Sequence, residues 1–260
     1  MSAVHGAGGA TDSAGRPWAG RSFEHAAAST DDGSAPPLLV RALARFRAGE
    51  VDASAVVNAV RESRLLIPLV AALGEAGEGA HGHTVDKSAE LSIVTVAGPD
   101  GRSVLPVFSS VDTMRAWNPA ARPVPADGVR VALAAASERT DLVVLDPTSE
   151  SEFVLRRPAL WAIAQSQPWT PSATDPAVAA AFRSAAAGEP AVGGVHVSPG
   201  DPDGRLAGPE VVVRLALVPG LDRPSLDALL ARLQSRWAAD ETIATRVDSM
   251  RVALATHTPA

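Results

Sequence analysis

The chain has 260 residues, of which 46% are hydrophobic, so it is long enough and apolar enough to bury a core. Its formal net charge of -6 at pH 7 argues against a protein that binds nucleic acid through phosphate contacts, because such proteins need a basic face. The absence of cysteine excludes disulfides, thiol catalysis and cysteine-ligated metal centres.

Two features of the sequence predict the compartment. No apolar run approaches the roughly 20 residues that span a bilayer, and the N-terminus lacks the charged start and apolar stretch of a signal peptide. We therefore expect a soluble, cytoplasmic protein that does not contact a membrane. The alanine-rich, arginine-rich composition, with Lys87 as the one lysine, is typical of a GC-rich bacterial genome.

Residues 1–36 are rich in glycine, alanine, serine and aspartate, which predicts a largely disordered N-terminal arm. Within this arm, residues 17–23 hold Trp18, Arg21 and Phe23. Large aromatic side chains are seldom left in water, so we expect this segment to dock on a folded surface. That surface is either the chain's own domain or a partner protein.

Apolar periodicity predicts two helices after the arm. Leu39, Leu43 and Phe46 share one face of the first helix. Gly49 ends that helix, and a second one is predicted over residues 52–63. The apolar run that follows, LLIPLVAAL, predicts a buried strand.

Proline and glycine shape the next two segments. Pro68 is expected to break the apolar strand or to place it at an edge, and residues 74–83, rich in glycine, predict a loop. A β-hairpin is predicted over residues 90–109, because the strands LSIVTV and SVLPVF flank the turn sequence GPDG.

Helices and strands then alternate. Ser110 or Asp112 can cap a helix, and the alanine-rich residues 128–138 predict another. The run LVVL at 142–145 has no polar alternation, which predicts a central strand buried on both faces. Pro158 suits the first turn of the helix after it.

The C-terminal part predicts a small sheet with a helix on one face. A helix begins at Asp175-Pro176 and ends at Gly188, residues 193–208 predict a loop, and VVVRLALV alternates as a strand. Pro224 lies in the first turn of a helix with a clean apolar stripe, and a strand is predicted over residues 247–254. The stripe consists of Leu226, Leu229, Leu230, Leu233 and Trp237.

These elements predict an α+β (mixed α/β) fold in two lobes, each a mixed β-sheet covered by helices. The expected division is an arm over residues 1–36, a larger domain over 37–172, a connecting helix over 173–188 and a smaller α+β domain over 189–260.

Several stretches of the sequence resemble the N-terminal domain of the SseB family: RLLIPLV, DKSAELSIVTVAGPDGRSVLPVFSS, WNPAARPVP, DLVVLDP and FVLRRPALWAIAQSQPW. The resemblance runs from about Pro37 to Trp169. The segment PWAGRSFE is similar to the N-terminal signature of actinobacterial members, and the tail from about residue 189 is similar to the family's C-terminal domain. The resemblance implies a fold and supplies no catalytic residues.

Catalytic and metal-binding patterns are weak. His81, His83 and Asp86 could form a divalent metal site, but a loop does not fix its ligands, so we expect a solvated loop and no bound metal. The chain has no G-x-S-x-G motif and no phosphate-cradling glycine spacing. We therefore expect no catalytic residues, no enzyme activity and no cofactor.

Arginine and tryptophan alternate in the middle of the chain. Arg122 and Arg157 lie beside prolines at the ends of predicted elements, and Trp117 and Trp161 are interleaved with them. These four residues could form a groove that holds a carboxylate, a phosphate or a peptide. Alternatively they are structural, with arginines that stack on tryptophans and cap carbonyl groups.

The sequence thus predicts a non-enzymatic protein–protein interaction or regulatory module with an unidentified protein partner. The alternative is a small-molecule or anion-binding domain that uses the groove of arginine and tryptophan to hold an anionic small molecule or peptide. The oligomeric state is open.

Overall fold

The computed structural model describes residues 31–72 and 90–257. From Gly33 onwards the chain forms one compact unit. Residues 1–30 of the predicted arm, with Trp18, Arg21 and Phe23, lie outside the described residues, as do His81, His83, Asp86 and Lys87.

The helices of the described residues are α1 (Pro37–Arg47), α2 (Ala53–Glu62), α3 (Val111–Trp117), α4 (Gly128–Ser137), α5 (Arg157–Ala164), α6 (Pro176–Ala185), α7 (Arg223–Ala239) and α8 (Glu241–Arg246). The strands are β1 (Arg64–Ala72), β2 (Glu90–Ile93), β3 (Val96–Ala97), β4 (Ser103–Val107), β5 (Arg122–Asp127), β6 (Leu142–Leu145), β7 (Phe153–Arg156), β8 (Val192–Pro199), β9 (Val211–Leu217) and β10 (Met250–Thr256). The predicted α+β class is confirmed. None of the described helices has the length and apolar character needed to cross a membrane.

The strands form three small sheets. The first, in the order β2-β1-β5, is antiparallel. The second, β3-β4-β6-β7, is mixed, because β4 and β6 run parallel. A bridge between Leu66 and Phe108 joins these two sheets. The third sheet, β10-β9-β8, pairs β9 with β10 in parallel and with β8 antiparallel.

Helix caps and strand patterns lie where the sequence predicts them. Ser110 caps α3 in a capping box with Thr113, and Pro158 and Pro224 lie in the first turns of α5 and α7. The whole of β6 is buried between β4 and β7, as expected of a central strand.

Pro68 neither breaks β1 nor lies at a sheet edge, contrary to our expectation. Leu66 exchanges both backbone hydrogen bonds with Phe108. The backbone nitrogen of Pro68, two residues further along, therefore points toward the same neighbouring edge of β1. On that side, pairing with β2 begins only at Leu69. The missing N–H therefore falls in a gap between two partners, where no ladder bond is lost.

Two further expectations are wrong in detail. The predicted strand LSIVTV is divided, because β2 pairs with β1 while β3 pairs with β4 in the hairpin. Residues 193–208 are not all loop, since β8 runs to Pro199. Its glycines concealed the strand: a Cβ on Gly193 would lie 2.3 Å from the ring of His257, so the position requires glycine for packing.

Two hydrophobic cores hold the unit together. In the larger, α1, α2, α4 and α5 pack on the first two sheets, with Leu39, Leu105 and Leu155 fully buried. In the smaller, α6, α7 and α8 cover one face of the third sheet, and Phe182 meets Trp237 edge-on at a centroid distance of 5.5 Å.

A buried ion cluster joins β7 to the C-terminal residues. The side chain of Arg156 is 8% exposed and donates to Asp201 at 2.7 Å and to Asp248 at 3.2 Å. Its remaining terminal N–H groups reach Ser249 Oγ at 3.2 Å and the carbonyl oxygen of Gly208 at 2.9 Å. All four terminal N–H groups of this guanidinium therefore have partners.

We expect Leu229→Ala to lower the free energy of unfolding by about 2–4 kcal/mol, because it empties a site in the smaller core. Leu229 is 1% exposed, whereas Leu133, the matched control, is 55% exposed. Denaturant melts of both variants measure the effect. A loss below about 0.5 kcal/mol in Leu229→Ala would contradict the assignment of this helix face to the core.

We expect Arg156→Ala to lower the free energy of unfolding by about 3–5 kcal/mol, because it leaves Asp201 buried without its counter-charge and Asp248 with Arg102 as its one remaining arginine among the described residues. Arg183→Ala is the control, since Arg183 is exposed near the end of α6. The same melts apply. Equal stabilities of the two variants would show that the ion cluster does not hold these segments together.

Candidate functional site

Arg157 and Trp161 lie together on α5. The guanidinium carbon of Arg157 is 5.3 Å from the centroid of the Trp161 ring, and Trp161 is 44% exposed. Arg157 also donates to the carbonyl oxygens of Ala244, at 3.1 Å, and Val247, at 2.9 Å. This arginine therefore stacks on a tryptophan and caps the end of α8 at the same time.

Trp117 and Arg122 lie on other elements. Trp117 packs against Phe108, with ring centroids 5.3 Å apart, and lines a different cavity from Arg157 and Trp161. Arg122 begins β5, is exposed and lies opposite Leu69 of β1. The structure brings Arg157 and Trp161 together. It places Trp117 elsewhere, against the hydrophobic cluster that contains Phe108 and Met114. Ligand binding by these residues stays a prediction.

A cavity of about 200 Å³, here called the aromatic pocket, lies where α2, β7 and α5 meet the segments around residues 169–174 and 199–210. Its apolar wall includes Phe46, Phe153 and Trp169, and its polar wall includes Arg156, Asp201 and Glu210. An apolar cavity with a few convergent polar groups is the usual form of a ligand site.

The aromatic wall is fixed by packing on both sides. Phe46 and Phe153 meet edge to face at a centroid distance of 5.3 Å and an interplanar angle of 89°. The guanidinium of Arg47 lies 5.4 Å from the Phe46 ring and donates to the carbonyl oxygens of Asp203 and Glu152. Arg47 thus ties the end of α1 to the loop on the other side of the pocket.

That loop is built around the carboxylate of Asp201. The carboxylate accepts the backbone N–H groups of Arg205, Leu206 and Ala207 at 3.1, 2.9 and 3.3 Å, in addition to Arg156. Gly200 N donates to the carbonyl oxygen of Glu210 at 2.9 Å and closes the loop at its base. A loop with this many internal bonds forms a defined wall.

Glu210 lies at the polar end of the pocket. Its Oε2 accepts the backbone N–H of Asp248 at 2.6 Å, and its Oε1 lies 2.7 Å from Ser172 Oγ. Burial raises the pKa of Glu210 above its ordinary value of 4.5, and the charge of Asp248 adds to the rise. Hydrogen bonds from Asp248 N–H and Ser172 and the charge of Arg156 oppose it.

The hydroxyl of Ser172 lies between two hydrogen-bond acceptors, one of them on Glu210. Ser172 Oγ lies 2.5 Å from the carbonyl oxygen of Arg246 and 2.7 Å from Glu210 Oε1. A hydroxyl carries one proton, so it can donate to only one of these oxygens. If it donates to the carbonyl, a protonated Glu210 supplies the proton for the other contact.

This arrangement decides which ligands the pocket can hold. The terminal N–H groups of Arg156 are already bound, so it offers an anion no free fork. The other ionisable groups in the polar wall are carboxyl groups, which accept hydrogen bonds. Within residues 31–72 and 90–257, no three histidine, aspartate or glutamate side chains gather as a metal site.

Sequence reasoning did not find this pocket, because its walls come from distant segments. Arg156 and Asp201 are 45 residues apart, and Arg156 and Asp248 are 92 apart. One local signal was present: Arg156 is a charged residue at the end of the apolar strand FVLR, and its burial requires a counter-charge.

Comparison with known proteins identifies the first half of the fold. Residues 39–162 match the family model of the SseB protein N-terminal domain, which takes in Phe46, Phe153 and Arg156 of the aromatic pocket. No curated protein and no solved structure matches the chain, so the actinobacterial type and the C-terminal domain stay predictions. The segment from α1 into α5 is therefore an SseB N-terminal domain.

Proposed function

We propose that the chain is a non-enzymatic, cytoplasmic binding protein, and that its aromatic pocket holds a small molecule with an apolar body and a hydrogen-bond donor. The observation that carries this proposal is the cavity lined by the aromatic residues Phe46, Phe153 and Trp169 and by the acidic residues Asp201 and Glu210.

The dimensions of the pocket support a small ligand. Its volume of about 200 Å³ is below the roughly 300–1,000 Å³ typical of sites for drug-sized molecules. A single aromatic ring system fits such a space and can pack against the aromatic wall. A donor on the ring can then reach a carboxyl oxygen at the polar end.

The polar groups of the pocket favour binding over catalysis. The residues that line it include no histidine and no lysine among those described, which removes the commonest general bases. The hydroxyl of Ser172 is held between Glu210 and a backbone carbonyl, and no histidine among the described lining residues completes a catalytic triad around it.

A protein–protein interaction or regulatory role is the second candidate. Leu133 and Trp161 are exposed on α4 and α5, which pack against each other. Exposed large apolar side chains on neighbouring helices are a feature of protein-binding surfaces. This candidate needs a protein partner and does not need the aromatic pocket.

Three indole compounds that differ in charge test the proposed ligand class: tryptamine, indole and indole-3-acetate. We expect tryptamine and indole to bind, and indole-3-acetate to bind roughly tenfold more weakly, because its carboxylate would be desolvated without a free N–H of Arg156 to pair with. Saturation-transfer NMR and calorimetry measure the affinities.

Matched leucine variants locate the binding. Ala173→Leu fills part of the pocket, whereas Ala180→Leu adds the same bulk at an exposed site on α6. Only Ala173→Leu should abolish binding. Failure of all three compounds to bind, or equal binding to both variants, would refute the proposal. Tightest binding by indole-3-acetate would instead support an anionic ligand.

We expect Glu210→Gln to remove a pH-dependent destabilisation. Because the folded-state pKa of Glu210 is raised, its contribution to stability is fully present below about pH 4.5 and is lost as the pH rises through the raised value. The variant should therefore equal the parent near pH 4.5 and match or exceed its free energy of unfolding at pH 7.

Denaturant melts between pH 4.5 and 8 measure this difference. Glu150→Gln is the control, since Glu150 is exposed. A Glu210→Gln variant that is less stable than the parent at pH 7 but equal to it at pH 4.5 would mean that the ionised carboxylate is the form the fold requires.

A further inference from the structure

The third sheet has one covered face and one open face. On the covered face, Val211, Val213 and Leu215 of β9 are fully buried beneath α6, α7 and α8. Side chains alternate along a strand, so Arg214 and Ala216 point to the opposite face. The described helices α6, α7 and α8 pack on the other face. On the open face Arg214 is exposed and Ala216 is half-buried, while Val212, at one end, is buried.

The pairing register of β8, β9 and β10 defines nine positions on this open face. In rows across β8, β9 and β10 they are Ser198, Val212 and Arg251; His196, Arg214 and Ala253; and Gly194, Ala216 and Ala255. Glycine, alanine and valine take five of the nine positions, and none of the nine is acidic. A sheet face that serves only as a solvated surface is usually polar, so this composition is that of a floor against which something packs.

The three basic residues of the open face are neighbours. His196 lies directly opposite Arg214, and Arg251 lies one diagonal step from Arg214 across β9 and β10. Both arginines are exposed, and neither pairs with another described residue. Like charges placed so closely on a sheet repel each other, and an acidic partner would remove that repulsion.

The size of the face suits one helix. Its three strands span roughly 10 Å from β8 to β10, which matches the diameter of an α-helix with its side chains, about 10–12 Å. The length of β9, seven residues, corresponds to about 23 Å, or roughly 15 residues of helix. Small floor residues leave room for leucine-sized side chains from above.

We propose that this open face docks an acidic amphipathic helix of a partner protein. Apolar side chains of the helix pack on the floor of Ala216, Ala253 and Ala255, and carboxylates on its flanks pair with Arg214 and Arg251. Guanidinium groups suit carboxylates because they can bind both oxygens at once. The docking surface is separate from the aromatic pocket and does not depend on its ligand.

Titration of the ¹⁵N-labelled full chain with three probes tests this proposal. The first probe is a fluorescein-labelled 15-residue peptide with leucines along one helix face and glutamates beside them. The second is a peptide of the same composition in scrambled order, and the third is a single-stranded 15-nucleotide DNA. We expect the ordered peptide to shift amide resonances of β8, β9 and β10 and the scrambled peptide to bind at least tenfold more weakly.

Charge-reversal variants place the binding. Arg214→Glu with Arg251→Glu should lose at least tenfold in affinity for the ordered peptide, while its Tm stays close to that of the parent because both side chains are exposed. Arg41→Glu with Arg122→Glu is the control, since both arginines are exposed elsewhere, and it should bind as the parent does. If charge reversal prevents folding, Arg214→Ala with Arg251→Ala gives the same comparison.

Three outcomes would overturn the proposal. Equal loss of affinity in the control variant would show a general charge effect, and equal binding of the scrambled peptide would show that no helix face is recognised. Tighter binding of the DNA than of the ordered peptide would assign the surface to nucleic acid.

Discussion

The pairing of Arg156 with two aspartates is the constraint on which the rest of the molecule depends. The guanidinium is almost fully removed from water, and Asp201 and Asp248 are 2% exposed at their side chains. A buried ion pair brings little net stability, but the loss of one partner is costly because the other is left charged and unsolvated. The cluster therefore forms only when β7, the loop of residues 199–210 and the residues just before β10 are all in place together.

The same cluster explains the chemistry of the aromatic pocket. Asp201 both pairs with Arg156 and accepts three backbone N–H groups of its own loop, so the polar wall and the ion cluster form one rigid piece. The carboxyl group of Glu210 lies beside them and finds no free terminal N–H on Arg156. Its burial raises its pKa, against the opposing charge of Arg156 and the hydrogen bonds from Ser172 and Asp248 N–H.

Local patterns predicted most helices and the buried strand β6, because caps, prolines and apolar periodicity act over a few residues. The capping box at Ser110 and the apolar stripe of α7 are examples. The strand β8 was missed because its glycine is set by His257, 64 residues later, and not by any neighbour in sequence. The pocket was missed for the same reason: the position of Arg156 at the end of an apolar strand gave no sign of which distant carboxylates it meets. Trp117 and Trp161, which the sequence analysis placed in one predicted groove, lie on different elements, α3 and α5.

The two surfaces differ in how their charges are balanced, and this separates the ligands that each can attract. In the aromatic pocket the cation is matched by buried carboxylates, so little field extends into solvent, and recognition depends on shape and a directed hydrogen bond. On the open face of the third sheet, Arg214 and Arg251 have no acidic partner among the residues that the structure describes, in a chain whose net charge is -6. A local positive field against an acidic background attracts carboxylates from a distance and weakens as salt is added. Binding in the pocket should therefore be insensitive to ionic strength, whereas docking on the sheet should depend on it, so one molecule can hold both partners without competition between them.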